Sequence, residues 1–191
     1  MKIYDLDGTL STLNSTFDFV ISYHKSNEHF WRLFICNTIR RIMNRLSISA
    51  VTKRKILIFV YFFAIKTSTL EHFFDEEYQT FFSKSLTDLG SQVKAENNSE
   101  HALLTGCTSI PARQIAEWFG FREAVFTELK IIKGRAFGIS LDTYGNNKIT
   151  PIRNLLNKKD ILFKDVTYYT DDVKSENELI KLFGTVLIYD Y

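Results

Sequence analysis

The chain has 191 residues, 45% of them hydrophobic and 24% charged, with a formal net charge of +2 at neutral pH. These proportions exclude a disordered or low-complexity chain and fit a soluble globular fold of one domain with room for an insertion. The two cysteines, Cys36 and Cys107, stand far apart, so neither a disulfide framework nor a zinc site is expected, and a reduced, cytoplasmic setting is.

The opening stretch, "MKIYDLDGTL", lacks the long apolar core and cleavage site of a signal peptide. Lys2 to Tyr4 form a short strand candidate that runs into Asp5, Asp7 and Gly8. On an extended chain, residues two apart point the same way. Two carboxylates on one side repel unless a cation lies between them or one keeps its proton. Either arrangement is useful chemistry: Asp5 could hold a divalent cation, and Asp7 could alternate between acid and base. Gly8 lets the backbone turn sharply there. The plain alternative is a surface turn, because Asp and Gly are turn residues.

From about Phe17 to Phe82 the pattern is helical and strongly aromatic. In "HFWRLFICNTIRRIMNRL", Phe30, Leu33, Phe34, Ile39, Ile42, Met43 and Leu46 recur at helical steps, with Arg40, Arg41 and Arg45 at other positions. The run Ile56 to Ile65 is about half the roughly 20 residues needed to cross a bilayer and reads as a buried helix, the alternative being an interfacial segment. "LEHFFDEEYQTFFSKSL" reads as a further amphipathic helix. No acidic residue occurs from His29 to Lys66, a stretch that carries Arg32, Arg40, Arg41, Arg45, Lys53, Arg54, Lys55 and Lys66. Such a stretch is either a solvated helix face or a surface for an anionic substrate or membrane.

The texture changes after "AENNSEH". Ala102 to Gly106 is a short apolar run ending in Thr105-Gly106, the pattern of a buried parallel strand entering a loop. "SIPARQIAEWFGF" is a helix, with Ser109 as cap and Pro111 in its first turn. "AVFTELKIIKGRAFGISL" is a strand and hairpin turning at Lys133-Gly134. "NKITPIRNLL" leads into a helix, "VTYYTDD" is a strand ending in Asp171 and Asp172, "SENELIKLFG" is a helix stopped by Gly184, and "TVLIYD" is the last strand. Alternating strands and helices predict an α/β fold, an open, mainly parallel sheet flanked by helices. Function gathers at the carboxyl ends of the strands in such sheets, where Asp5, Thr105 and Asp171 are expected.

"DLDGTL", "LLTG", "YGNNKI" and "YYTDDVKSE" resemble, in order, the four motifs of the haloacid dehalogenase superfamily. "FTELKIIKGRAFG" resembles the hairpin of its phosphoserine-phosphatase-like subfamily. The resemblance implies a Rossmann-like core made of residues 1–13 and 84–191, with a helical cap at 14–83 inserted after the first strand. It implies a phosphate monoester hydrolase working through an aspartyl-phosphate. Asp5 would be the nucleophile and Asp7 the acid and base. Thr105 and Lys148 would hold the phosphoryl charge, Lys130 and Lys133 being the competing lysines. Magnesium would sit on Asp5, the Asp7 carbonyl and Asp171. Asp172, Glu176 and Gly106 are secondary candidates: "DDVKSE" fits several registers, and Glu176 either orients a metal-bound water or sits in a helix's first turn. Asn14 stands where phosphoserine phosphatases carry the glutamate that grips the substrate's amino group, which weakens phosphoserine as the substrate.

Three functional readings follow. The first is a cytoplasmic phosphatase for a small phosphorylated metabolite. The second is a lipid or polyprenyl phosphate phosphatase, peripheral to the membrane, whose basic apolar cap meets anionic head groups; the motif order and cap are loosely similar to those of bacterial phosphatidylglycerophosphate phosphatases. The third is a non-catalytic binding protein that keeps the fold, which the intact motif residues oppose. No nucleic-acid partner is expected, since no nucleic-acid motif accompanies the basic helices. The oligomeric state is left open.

Overall fold

The computed structural model of the chain describes residues 1–189. Its centre is a six-stranded sheet in the order β4-β3-β2-β1-β5-β6, built from β1 (Lys2–Tyr4), β2 (Ala102–Thr108), β3 (Glu123–Ile132), β4 (Arg135–Leu141), β5 (Thr167–Thr170) and β6 (Thr185–Ile188). All neighbouring pairs are parallel except the β3–β4 hairpin. That hairpin turns where expected, with Lys133 and Gly134 both at positive φ, 48° and 71°, as a two-residue turn between twisted strands requires. Asp190, the end of the last expected strand, lies outside the described residues.

The sheet is buried on both faces, and the sequence shows why. Side chains alternate across a strand, and here both alternating sets are apolar. Ile3 faces one core with Leu104, Ile152, Leu156 and Tyr168. Its neighbour Tyr4 faces the other, with Leu103, Phe119 and Phe121. A three-residue strand survives at the centre because β2 and β5 pair with it on both sides.

The elements between β1 and β2 are helices joined by short loops: α1 (Ser15–Ser26), α2 (Phe30–Arg45), α3 (Ala50–Phe62), α4 (Thr67–Phe73), α5 (Gln79–Ser83) and α6 (Asp88–Ala95). One wide π turn, Phe74–Tyr78, joins α4 to α5. Phe19, Phe62, Phe74, Tyr78 and Phe82 give this half its core. The burial expected of the Ile56–Ile65 run is only partly met, and α2 is more exposed still. Of α2 only Cys36 and Met43 are buried, while α3 buries Ile58, Tyr61 and Phe62 and leaves Ile56 and Phe59 exposed. Both cysteines are free and buried. Among the described residues no helix is long and apolar enough to cross a membrane.

Three boundaries differ from the sequence reading. β2 continues past Gly106 to Thr108, because the chain re-pairs with β3 after a register shift. The cap of α7 (Ser109–Phe119) is Thr108 rather than Ser109; the Ser109 hydroxyl instead accepts the Leu129 amide at 3.3 Å. The helix expected over "SENELIKLFG" shrinks to α9 (Asn177–Ile180). Between these last two, α8 (Ile149–Lys158) follows the expected course, with Pro151 in its first turn. The sequence reading missed α6, whose signal is Thr87: its hydroxyl accepts the Gly90 amide at 3.0 Å as a side-chain cap.

Candidate active site

The three adjacent central strands deliver the candidate residues to one cleft. Asp5 follows β1, the middle strand of the three, Asp171 follows β5 on one side of it, and Thr105 lies on β2 on the other. Thr105 is not at a strand end as expected; it sits at the register shift between Leu104 and Thr108. The cleft has a volume of about 680 Å³ and is lined by all five principal candidates, Asp5, Asp7, Thr105, Lys148 and Asp171, together with Gly106, Asp172 and Glu176. Lys130 and Lys133 are on the hairpin and take no part in it.

Asp5 is 5% exposed. Its Oδ1 accepts the Leu6 amide at 2.8 Å and its Oδ2 lies 2.9 Å from Lys148 Nζ. Lys148 enters from the last position of a 3-10 turn, Gly145–Lys148, that leads into α8. The same ammonium lies 2.5 Å from Glu176 Oε1. Glu176 Oε2 in turn accepts the Tyr168 hydroxyl at 2.8 Å and the Thr170 hydroxyl at 2.9 Å. Glu176 is therefore neither a free metal-water ligand nor a mere first-turn acid. One of its oxygens holds Lys148 and the other is held by the Tyr168 and Thr170 hydroxyls, two supporting residues the sequence reading did not find.

The charges in this cluster do not balance. Burial disfavours the Lys148 ammonium, yet Asp5 and Glu176 outweigh it and hold its pKa above the ordinary lysine value. Burial pushes Asp5 upward; Lys148 pulls it down and Glu176 raises it again, for a net rise. Two carboxylates thus share one buried cation.

Asp7, in the loop after β1, faces the N-terminus of α1, where its Oδ1 accepts the Ser15 amide at 2.9 Å. Burial raises its pKa against that hydrogen bond and against the charges of Lys148 and Arg54. It holds its proton more firmly than an ordinary carboxylic acid. Thr105 is 1% exposed. Its hydroxyl accepts the Cys107 amide at 3.0 Å, which leaves the hydroxyl proton for a second partner.

Gly8 has φ +80°, and a Cβ there would stand 2.0 Å from Asp171 Oδ2. The missing side chain is what lets the Asp171 carboxylate lie against the Asp7–Gly8 backbone. Thr9 fixes it with a 3.2 Å hydrogen bond to Oδ1. Burial raises the Asp171 pKa, and the neighbouring Asp172 and Glu176 push the same way. Asp172 turns aside: its carboxylate accepts the Ser175 amide at 3.0 Å and the Ser175 hydroxyl, so the register of "DDVKSE" puts Asp171 in the cleft and Asp172 on a turn at its edge. Asn14 caps α1, accepting the Phe17 amide at 3.3 Å.

Oxygen donors are what the site offers a cation. Among the described residues no three Asp, Glu, His or Cys side chains converge as a ready-made metal site. Magnesium does not need one, since it keeps several waters and takes one or two carboxylates. Asp5, Asp171 and the Asp7 carbonyl fit that description, and the charge imbalance around Lys148 favours a dication.

Arg54, one of eight cations in the basic stretch, is the residue that periodicity alone could not single out. From α3 it reaches across to the sheet side of the cleft. Its Nη1 lies 2.8 Å from Asp142 Oδ1, its Nη2 donates to the Gly106 carbonyl, and its guanidinium stacks 5.2 Å from the Tyr144 ring centroid. Arg40 and Lys53 line the same outer wall, beside Leu13, Phe17 and Leu57.

A family model for haloacid dehalogenase-like hydrolases matches residues 3–174. The chain belongs to that family. No curated protein matches the chain. Among solved structures, this haloacid dehalogenase-like hydrolase is similar to a protein of unknown function from Bordetella pertussis Tohama I, with 17% identity, TM-score 0.65 and coverage of 99% of this chain and 97% of that one. It is also similar to a substrate-bound phosphoserine phosphatase, with 14% identity, TM-score 0.63 and coverage of 97% and 83%. A phospho-aspartyl intermediate analogue of phosphoserine phosphatase aligns with 14% identity, TM-score 0.62 and coverage of 98% and 84%. These likenesses show a shared Rossmann-like α/β fold.

Proposed function

We propose that the chain is a magnesium-dependent phosphatase that hydrolyses a phosphate monoester through a phosphorylated Asp5. The observation that carries this reading is the placement of two chemically different aspartates at one strand end: Asp5 buried and paired with Lys148, and Asp7 only part-buried, hydrogen-bonded to the Ser15 amide and with its pKa raised. An oxygen of Asp5 attacks phosphorus while the bond to the leaving oxygen breaks, and Asp7 gives that oxygen its proton. Asp7, now a carboxylate, takes a proton from water. That water attacks phosphorus, the bond to Asp5 breaks, and inorganic phosphate leaves. Lys148 and the Thr105 hydroxyl stabilise the phosphoryl oxygens in both steps. Magnesium, held by Asp5, Asp171 and the Asp7 carbonyl, would supply charge neutralisation.

In this reading residues 14–83 are a cap over the core of residues 1–13 and 84–191, and Arg54 ties the two together. The cationic outer wall of the cleft, Arg40, Lys53 and Arg54 beside Leu13, Phe17 and Leu57, suits a small phosphorylated substrate with an apolar portion. The test is hydrolysis of para-nitrophenyl phosphate with added magnesium, with a chelator, and over a panel of sugar, nucleotide, amino-acid and lipid phosphates. Release of phosphate that depends on magnesium is expected. Failure across the whole panel would overturn the reading.

Gly8→Ala probes the cation site. The new Cβ must displace the Asp171 carboxylate, and the positive φ adds roughly 1–2 kcal/mol of backbone strain. The magnesium concentration for half-maximal rate should rise by about 10–100-fold. A magnesium titration that superimposes on the wild-type curve would show that Asp171 does not serve the cation.

A further inference from the structure

We infer that the outward face of α2, continued across the end of α3, is a docking surface for an anionic lipid bilayer. The face is apolar where a soluble protein's surface should not be. Phe30 is 62% exposed, Trp31 61% and Phe34 73%, and Ile35, Ile42 and Leu46 follow on the same side. Trp31, Ile35, Ile42 and Leu46 are spaced by whole turns, so they form one stripe. The patch does not stop at the helix edge. The Arg32 guanidinium lies 5.3 Å from the Trp31 ring centroid and donates to the Phe63 carbonyl at 2.9 Å. Phe63 then packs on Phe59 at 5.2 Å and on Phe137 of β4 at 5.5 Å between ring centroids. Contiguous apolar exposure on this scale marks an interaction site.

Charge selects the occupant. Arg41 and Arg45 share the apolar face of α2, and Arg32 and Arg40 flank it. Among the described residues none of these four enters an ion pair, and the chain has no acidic residue from 29 to 66. A second copy of the chain would bring two such cationic faces together, which like-charge repulsion opposes. An acidic protein would need directional polar partners, and the face offers few: the Thr38 hydroxyl is tied back to the Phe34 carbonyl at 2.8 Å. What it offers is aromatic and aliphatic area with guanidinium groups between, the composition of helices that lie in a headgroup layer. No described helix can span the bilayer, so the contact is one of lying on the surface. The same two helices supply Arg40, Asn44, Lys53 and Arg54 to the cleft wall, which places the docking face beside the site, with Arg40 at the border of the two.

The test is sedimentation of the full chain with vesicles of phosphatidylcholine alone and of phosphatidylcholine with phosphatidylglycerol, at low and high salt. Two surface variants accompany it, Trp31→Ser/Phe34→Ser and Arg41→Glu/Arg45→Glu. Binding to the anionic vesicles at low salt is expected, weakened by salt. Each variant should lower it by about tenfold or more while hydrolysis of a soluble phosphate ester stays unchanged. Absence of binding at low salt would overturn the inference, as would binding that both variants leave intact or equal binding to the neutral vesicles. A concentration-dependent dimer that Trp31→Ser/Phe34→Ser dissolves would assign the face to a second copy instead.

Discussion

Asp5→Asn is expected to reduce aryl phosphate hydrolysis by at least about 10⁴-fold, the scale on which removing a covalent nucleophile acts. The substitution keeps the side chain's volume and keeps an oxygen to accept the Leu6 amide, which now meets Oδ1 at 2.8 Å. Lys148 loses one of two carboxylates but retains Glu176 at 2.5 Å. The variant should therefore fold, and its defect should lie in kcat rather than in substrate binding. A single-turnover reaction quenched in acid makes the distinction sharper: labelled phosphate should remain on the wild-type protein and be absent from the variant. Activity within about tenfold of wild type would rule out Asp5 as the attacking group and leave at most a metal-bound water attacking directly.

The features legible in the sequence were those set by a few consecutive residues. A short apolar strand running into Asp5-Leu6-Asp7-Gly8 announces both the strand and the turn that presents the carboxylates, because the pleat and the glycine act locally. The hairpin at Lys133-Gly134 and the basic residue ahead of α8 were readable for the same reason. Groups defined by a distant partner were not. Arg54 is distinguished from seven other cations by partners far along the chain, the Gly106 carbonyl 52 positions away and Asp142 88 positions away. Glu176 is distinguished from a helix-start glutamate by its partners, above all Lys148, 28 positions earlier. The exposure of α2 could not be read either. Its apolar periodicity is that of a helix with a core-facing stripe, and periodicity does not say whether a neighbouring element covers that stripe. In the fold only the Cys36–Met43 side is covered.

Lys148→Met should cost about 3–5 kcal/mol of folding stability, the usual penalty for leaving buried charge without its partner. The lysine is 2% exposed and is the cation between Asp5 and Glu176. Its removal leaves two carboxylates facing each other in the interior, where Glu176 already pushes Asp5 upward. The sign of the pH dependence follows. A carboxyl group whose folded pKa is raised binds its proton more tightly in the folded state. The variant is then most stable below the ordinary carboxylate range, about pH 4, and loses stability as pH rises through the raised value. The wild-type protein has the ammonium to oppose this, so the stability gap between the two should be widest near neutral pH and narrow as the solution is acidified. Adding Glu176→Gln to Lys148→Met removes one of the two charges and keeps an oxygen for Tyr168 and Thr170, which now donate to Glu176 at 2.8 and 2.9 Å. The double variant should regain about 1–3 kcal/mol relative to additivity. Denaturant unfolding of all four proteins at several pH values measures both effects. A gap that does not vary with pH, together with additive losses, would mean that Lys148 contributes packing rather than charge, and that Glu176 is not the group that holds it in place.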